Sequence, residues 1–222
     1  MKCELISSLG DDLTVCNAAR VSFDNESMWA RDIRVTGEKE LSSGDKKLIK
    51  YLASHEHFTP FTHCMITMRE EVPIFVARQR FKHTIGFSYN EVSRRYVDSD
   101  PLFFHPTLWR KKAENKKQGS EEDGIPSQNI INKSYDTFLI ASKELYDNML
   151  GMQVAPEQAR MVLPQSMYTS YYVTGSLAAF ARAYKLRIEE HAQKEIRDLA
   201  KMWDMICSDI YPVSWKELTS GS

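Results

Sequence analysis

The sequence predicts a single domain of the α/β (α+β) class that spans residues 1–222. Segments with apolar residues at helical spacing alternate along the chain with shorter runs whose alternation, or Tyr and Thr content, is typical of strands. A chain of 222 residues is long enough for one well-buried domain and short for two. Neither internal repeats nor the GxGxxG fingerprint of Rossmann domains is present, so a Rossmann-type dinucleotide site is not predicted.

The first third of the chain is predicted to contain two strands and two short helices, separated by turns and one polar loop. They are a strand at 1–8, a helix capped by Asp11 or Asp12, a loop at 24–43, a helix capped by Asp45 and a strand at 63–72.

A central helix is predicted from Pro73, because proline lacks the N–H that a first helical turn leaves unpaired. Four apolar residues then recur at helical spacing: Ile74, Phe75, Ala77 and Phe81. The polar residues around this stripe are Arg78, Gln79, Arg80 and Lys82. Gly86 ends the pattern.

The remaining elements are predicted from periodicity and from proline and glycine positions. A short apolar run at 102–104 indicates a strand, and the charged residues 110–128 indicate a mobile surface loop. The later elements are a helix at 131–150, a helix from Pro156 to Pro164, a strand at 165–173, a helix at 176–186 and a last helix with Ile196, Leu199, Trp203 and Ile206 on one face.

Bulk composition excludes several classes of protein. The hydrophobic fraction of 42% and charged fraction of 27% are those of an ordinary globular protein, and the net charge of −1 gives no overall attraction to nucleic acid or an anionic membrane. No run of about 20 apolar residues or signal-peptide core is present. Four scattered cysteines without CxxC spacing indicate reduced thiols. We therefore expect a cytoplasmic protein without a membrane or nucleic-acid partner.

A dense polar cluster follows Gly86, and its members can all bind a small anion: Ser88, Asn90, Glu91, Ser93, Arg94, Arg95 and Tyr96. Guanidiniums, hydroxyls and a carboxylate this close together can orient a polar ligand through bidentate and charge-assisted hydrogen bonds. Composition alone also allows a solvated loop with local ion pairs.

The order of residues in this cluster resembles the signature of the flavin-dependent thymidylate synthases, Arg-His-Arg followed by Ser-x-Asn-Glu-x-Ser-x-Arg-Tyr. The second half stands intact from Ser88 to Tyr96, and Ala77-Arg78-Gln79 precedes it as in the family. The first half departs, because Lys82-His83-Thr84 occupies the Arg-His-Arg positions and the spacer 85–87 is one residue longer.

Three further motifs resemble the same family at its spacing. They are Ala18-Ala19-Arg20-Val21-Ser22-Phe23, His57-Phe58-Thr59-Pro60-Phe61-Thr62-His63, and Glu157-Gln158-Ala159-Arg160-Met161-Val162-Leu163-Pro164 with the downstream Leu186-Arg187 and His191-Ala192-Gln193. The second motif has Thr62 where the family usually has Glu. Together the motifs span most of the chain, which makes the resemblance specific.

The resemblance implies a central, mainly antiparallel sheet flanked by helices, and a homotetramer whose sites are shared between subunits. It implies the methylation of dUMP to dTMP, a step of nucleotide biosynthesis. Methylenetetrahydrofolate donates the carbon, and FAD reduced by NADPH carries the hydride. The protein's part is to bind and orient these groups.

The resemblance also assigns residues to each ligand. It implies that Arg187 is the catalytic residue, aimed at N3 and O4 of uracil to favour the ionised, enolate-like base. The residues implied to bind dUMP are Gln79, Lys82, Glu91, Val92, Ser93, Arg94, Arg95, Arg160 and Arg187. The residues implied to bind FAD are Ser22, Thr59, Lys82, His83, Thr84, Glu91, Ser176 and Arg182.

The altered triplet leaves one position without a cation. Lys82 keeps the charge of arginine but loses its planar fork, and Thr84 loses both. Arg80, one turn earlier, is a candidate to substitute for the missing arginine.

Other functions stay open from the sequence. A degenerate family member could bind nucleotide and flavin without turnover. The histidines 55, 57 and 63 with Cys64 could bind the metal ion of a metal-dependent hydrolase. Their spacing fits no zinc motif, however, and no metal site is predicted. Basic, Tyr-rich segments could belong to an RNA-binding module. A cysteine-dependent thymidylate synthase is excluded, because no cysteine lies in a comparable Pro-Cys context.

Overall fold

Four antiparallel strands form the central sheet of the computed structural model, which describes residues 1–31, 39–96, 100–114 and 119–220. In spatial order they are β1 (Lys2–Leu9), β2 (Met65–Pro73), β6 (Tyr168–Ser176) and β3 (Phe87–Glu91). β2 and β6 pair along their full length, from Met65 opposite Ser176 to Pro73 opposite Tyr168. The predicted antiparallel sheet flanked by helices is confirmed.

Nine α-helices lie in the described residues around this sheet. They are α1 (Asp12–Arg20), α2 (Ser43–Ser54), α3 (Thr59–Thr62), α4 (Ile74–Arg80), α5 (Gln128–Gly151), α6 (Pro156–Ala159), α7 (Leu177–Ile188), α8 (Lys194–Ile210) and α9 (Pro212–Thr219). Short 3₁₀ turns follow α1 at Val21–Phe23 and α6 at Arg160–Val162. No helix in the described ranges is both long and apolar enough to cross a membrane.

The hydrophobic core lies between one face of the sheet and the helices. β2 and β6 bury alternate residues, as expected for strands with one covered face. The face predicted for the last long helix, now α8, is buried at Ile196, Leu199 and Trp203. Burying such side chains contributes roughly 1.5–3 kcal/mol each relative to exposure.

A close contact between β3 and β6 involves Phe87, the last residue of the spacer 85–87 in the signature. The ring of Phe87 packs over Gly175, where a Cβ atom would lie 2.4 Å from Phe87 Cδ1. Gly86 has a φ of +79°, in the left-handed region that favours glycine. Gly86 therefore turns the chain from the end of α4 into β3.

Several local predictions need correction. The first helical caps are Asp11, as predicted, and Ser42, because Asp45 lies inside α2 and is buried against Arg20 at 2.8 Å. The predicted strand at 165–173 runs instead from Tyr168 to Ser176, and α9 was not predicted at all. The apolar run at 102–104 contributes one bridge, between Phe103 and Met167.

The charged segment 110–128, predicted to be a mobile surface loop, includes regular secondary structure in its described residues. It contains an antiparallel pair of short strands, β4 (Arg110–Lys112) and β5 (Ser120–Gly124), and the beginning of α5. Arg110 ties this hairpin to α8 through an ion pair with Glu195 at 3.0 Å. Local composition did not predict this long-range contact.

Candidate active site

The intact half of the signature lies beside a cavity of about 890 Å³, which we name the first cavity. It lies at the C-terminal end of β3, where the chain leaves the sheet. Six of the residues predicted to bind dUMP line it: Glu91, Val92, Ser93, Arg94, Arg95 and Arg160. The fold therefore brings together two motifs that are about seventy residues apart in the sequence.

Hydrogen bonds hold the signature residues in place at this cavity. Thr169 Oγ1 donates to Glu91 Oε1 at 2.6 Å, and the Val92 N–H donates to the Ser170 carbonyl at 2.9 Å. Arg95 donates from its Nε to Ser93 Oγ at 3.3 Å. Ser93 thus positions a guanidinium, and no histidine or other base is bonded to its hydroxyl among the described residues, so a nucleophilic role is not supported.

A second group of predicted residues gathers around the turn that follows α4. Arg187, near the end of α7, donates from Nε to His83 Nε2 at 2.8 Å and from Nη2 to the Gln79 carbonyl at 3.1 Å. Gln79 and Arg187 both line another cavity of about 590 Å³, which we name the second cavity. The predicted catalytic arginine is thus held by its neighbours in one orientation.

His83 is buried beneath the turn that carries it. Burial, and then the positive charges of Arg187, Arg80 and Arg182, lower the pKa of His83 to about 4. Its imidazole is therefore neutral near pH 7, with Nε2 as the hydrogen-bond acceptor for Arg187.

This burial predicts a pH-dependent stability. Between its ordinary pKa of 6.5 and about 4, His83 takes up a proton in the unfolded chain and not in the folded protein. The contribution of neutral His83 to the free energy of unfolding is therefore fully present above pH 6.5. It is lost as the pH is lowered through this window, by up to about 3 kcal/mol. Urea unfolding at a series of pH values measures it.

A matched pair of variants separates His83 from the other titrating groups. His83→Gln keeps a hydrogen-bond acceptor for Arg187 and is expected to reduce the slope of stability against pH in this window. His105→Gln makes the same substitution at an exposed histidine outside all motifs and serves as the matched control. Equal slopes for His83→Gln and the wild type contradict the assignment.

The turn that carries His83 rests on a buried polar network. Arg80 is fully buried, and its Nε donates to both oxygens of Glu70 at 3.3 Å. Its Nη1 donates to the Tyr89 hydroxyl at 2.7 Å, and that hydroxyl donates to the His83 carbonyl at 2.7 Å. The idea that Arg80 substitutes for a ligand-binding arginine is therefore wrong, because its guanidinium is used inside the core.

The residues predicted to bind FAD do not form one group within the described chain. Lys82 and Thr84 are exposed on the turn, and Arg182 donates to the Ile85 carbonyl at 2.5 Å. Ser176 is buried and caps α7, accepting from the Ala179 N–H at 3.2 Å. No described hydrogen bond joins Ser22, which is exposed after α1, or Thr59, which begins α3, to this turn.

The first and second cavities lie at opposite ends of β3. His83 precedes that strand, whereas Glu91 ends it, and the five residues of β3 span roughly 14 Å from first to last Cα. β6 runs antiparallel beside it, so Thr169 lies near the Glu91 end and Arg187 follows the other end. No described residue lines both cavities, so the two groups of residues are separate within a single chain.

Sequence reasoning missed some polar residues of these cavities. Arg69 lines the first cavity and donates to Ser170 Oγ at 3.2 Å; its outward position in the alternating pattern of β2 was the available signal. Arg110 lines the second cavity, and no local pattern connected it to Arg187. Among the described residues no group of three or more His, Cys, Asp or Glu side chains could hold a metal ion.

These observations first define a class: an α+β protein with cationic and hydrogen-bonding groups at both ends of an edge strand. Comparison with known proteins then identifies the family. A family model described as thymidylate synthase complementing protein matches residues 4–213. The chain belongs to this family, which confirms the resemblance seen in its motifs.

Relatives with curated names and a solved structure agree with this membership. A flavin-dependent thymidylate synthase from Thermosipho africanus is 38% identical over 199 residues, covering 88% of this chain and 81% of that protein. Another from Thermus thermophilus is 33% identical over 217 residues, covering 95% and 73%. The crystal structure of the UMP/dUMP methylase PolB from Streptomyces cacaoi bound with 5-Br dUMP superposes with a TM-score of 0.84 at 28% identity, covering 99% of this chain and 94% of that one.

Proposed function

We propose that this protein is an FAD-dependent thymidylate synthase, a methyltransferase that converts dUMP to dTMP. One observation carries the proposal: in a member of this family, the signature residues 91–95 and Arg160 come together at one cavity. Arginines with hydroxyl and amide groups are suited to a nucleotide monophosphate. The carboxylates Glu71 and Glu91 at the same cavity balance part of this positive charge.

The complete dUMP site is proposed to form between subunits of a homotetramer. Support comes from the separation of the two groups of residues, since Arg187 lies at the opposite end of β3 from Arg95 and Arg160. The long helix α5 also exposes large apolar side chains that a second copy of the chain would cover: Ile130, Phe138, Ile140 and Leu145. A neighbouring subunit would bring its own Arg187 to the first cavity.

The residues around the turn fit a bound FAD. Its pyrophosphate is anionic, and Lys82 and Arg182 are exposed cations close to that turn. Thr84 offers a hydroxyl, and Ser22 and Thr59 offer two more from the corner formed by α1 and α3. Bound FAD, once reduced, supplies the hydride that completes the methyl group.

The protein's own contribution to the reaction centres on Arg187. Uracil C5 is a poor nucleophile, and a guanidinium directed at the pyrimidine edge draws negative charge to that edge and favours the enolate-like form. Neutral His83 accepts the Arg187 Nε–H, so the remaining N–H groups point away from it. His83 therefore orients the arginine.

We further propose methylenetetrahydrofolate as the carbon donor and NADPH as the reductant, as the family resemblance implies. A cytoplasmic location is proposed because all four cysteines are free, and three of them are buried. Burial raises the pKa of the Cys16 thiol to about 12 and that of Cys64 to about 12, so both remain protonated and unreactive near pH 7.

We expect the purified protein to bind FAD and to show a flavin absorbance band that shifts when dUMP is added. Such a shift occurs when the nucleotide changes the environment of the flavin ring. The same sample is then expected to release tritium from dUMP labelled at C5 when folate donor and NADPH are present.

Each possible result separates the proposals. Colourless protein that ignores both ligands contradicts the flavoenzyme assignment. A dUMP-dependent shift without tritium release supports instead the degenerate family member, which binds without turnover. In that case the double variant Lys82→Arg with Thr84→Arg tests whether the altered triplet is the cause.

A further inference from the structure

A chain of polar side chains connects the hairpin to Gln79. Arg110 forms an ion pair with Glu195, with Nη1 3.0 Å from Oε1, and donates a hydrogen bond from Nη2 to Oε2 at 3.1 Å. Gln193 Nε2 donates to Glu195 Oε2 at 2.9 Å, and Gln79 Nε2 donates to Gln193 Oε1 at 2.6 Å. We call these four residues the polar chain.

The carboxylate in the polar chain sets the direction of every hydrogen bond in it. Burial raises the pKa of Glu195, but the hydrogen bonds from Arg110, from its own backbone N–H and from Gln193, together with the charge of Arg110, lower it overall. The Glu195 carboxylate is therefore ionised and can only accept. Gln193 must then turn its NH₂ group to Glu195 and its oxygen to Gln79. Gln79 must in turn give its NH₂ group to Gln193, and this leaves its Oε1 without a hydrogen-bond donor among the described residues.

The second cavity therefore presents two complementary groups side by side. Arg187 contributes N–H donors. It lies next to Gln79, because its Nη2 donates to the backbone carbonyl of Gln79 at 3.1 Å. Gln79 Oε1 contributes an acceptor. A donor beside an acceptor matches the imide edge of uracil, where a carbonyl oxygen adjoins an N–H. Cytosine has an unprotonated N3 at the same place and offers no N–H there.

We propose that the polar chain fixes the Gln79 amide with its oxygen toward the nucleotide, and that this orientation makes the site select uracil over cytosine. Gln193 and Glu195 are then positioning residues, and Gln79 determines specificity. The inference rests on the proposed function, because it places the pyrimidine at Arg187.

Gln193→Lys provides the sharpest test, because a lysine ammonium can only donate. Placed between Glu195 and Gln79, it requires the Gln79 amide to turn its oxygen inward and its NH₂ group toward the ligand. We expect the ratio of the dCMP Kd to the dUMP Kd to fall by about tenfold. Isothermal titration of the FAD-loaded protein with each nucleotide measures this ratio.

Two further variants complete the design. Gln193→Leu removes the partner of Gln79 without fixing the opposite orientation, so we expect a smaller decrease in the ratio. Glu190→Gln changes the net charge by the same amount as Gln193→Lys, at an exposed residue outside the polar chain, and is expected to leave the ratio unchanged. Since Gln193 is exposed, neither substitution at this position removes core packing.

The inference is overturned if both Gln193 variants keep the ratio within about twofold of the wild-type value. It is also overturned if Glu190→Gln lowers the ratio as much as Gln193→Lys, since charge alone then explains the change. Wild-type protein that binds FAD and fails to bind dUMP overturns the proposed function, and the inference with it. These outcomes are distinct, because only the last concerns the wild type.

Discussion

Replacing Arg187 by Ala is expected to lower kcat/KM for dUMP by about 100-fold or more, as is usual when a preorganised electrostatic donor is removed. Arg187 is held by His83 Nε2 at 2.8 Å and by the Gln79 carbonyl at 3.1 Å. Its Nη1 has no hydrogen-bond partner among the described residues and is available to a ligand. Tritium release from C5-labelled dUMP, in protein saturated with FAD, measures the change.

Two comparison variants show whether this loss is specific. Lys185→Ala removes a cation from the same helix at an exposed position and is expected to change kcat/KM by less than about twofold. Arg187→Lys retains the charge and loses the planar fork, so an intermediate activity is expected. If Arg187→Ala keeps wild-type activity, the arginine is not the electrostatic group that the reaction needs.

Elements with a strong repeating pattern were predictable from the sequence. The buried face of α8 was predicted at Ile196, Leu199 and Trp203, since an amphipathic helix displays its contacts in its own spacing. β2 was predicted from alternation for the same reason. β3 was missed although Phe87, Ser88, Tyr89 and Asn90 alternate apolar and polar residues, because this short run was interpreted only as part of the polar cluster.

Contacts between distant segments were not predictable in this way. Arg80 has the local pattern of a solvent-facing cation on α4, yet it is buried because Glu70 on the neighbouring strand provides its counterion. Likewise, the composition of residues 110–128 gave no sign that Arg110 would meet Glu195. A local pattern records which residues are polar, and the tertiary fold decides which of them find partners.

The motifs named residues that the fold gathers at two cavities, although they did not predict this arrangement. They named Arg160 and residues 91–95, which the fold does bring to one cavity. They also named Gln79 among the dUMP-binding residues, and the structure places Gln79 beside Arg187 at the second cavity. Motif spacing does not show which residues share a cavity, because that depends on the end of β3 that each segment reaches.

Glu70→Gln is expected to destabilise the protein by about 3 kcal/mol or more, because it leaves a buried arginine without a counterion. Glu70 and Arg80 are both fully buried. Glu70 also accepts from the Tyr171 hydroxyl at 2.5 Å and from Trp203 Nε1 at 2.9 Å. An amide of the same size must turn its NH₂ group toward one of these donors. Urea unfolding at fixed protein concentration measures the loss.

The adjacent residue offers a matched control. Glu71 lies on the other face of β2, where its side chain is 34% exposed and 3.9 Å from Lys2. Glu71→Gln makes the same chemical change and is expected to cost less than about 1 kcal/mol. Equal destabilisation by the two substitutions contradicts the assignment of a special cost to the buried carboxylate.

Removing both charges distinguishes the cost of an unpaired ion from the need for the network itself. The double variant Glu70→Leu with Arg80→Met is expected to regain much of the stability lost in Glu70→Gln, because apolar residues often replace a buried ion pair without loss. It does not restore the bond from Arg80 Nη1 to the Tyr89 hydroxyl, which donates to the His83 carbonyl. A stable double variant with reduced kcat/KM for dUMP would show that the network positions His83 and Arg187, whereas a stable, fully active one would limit its role to the core.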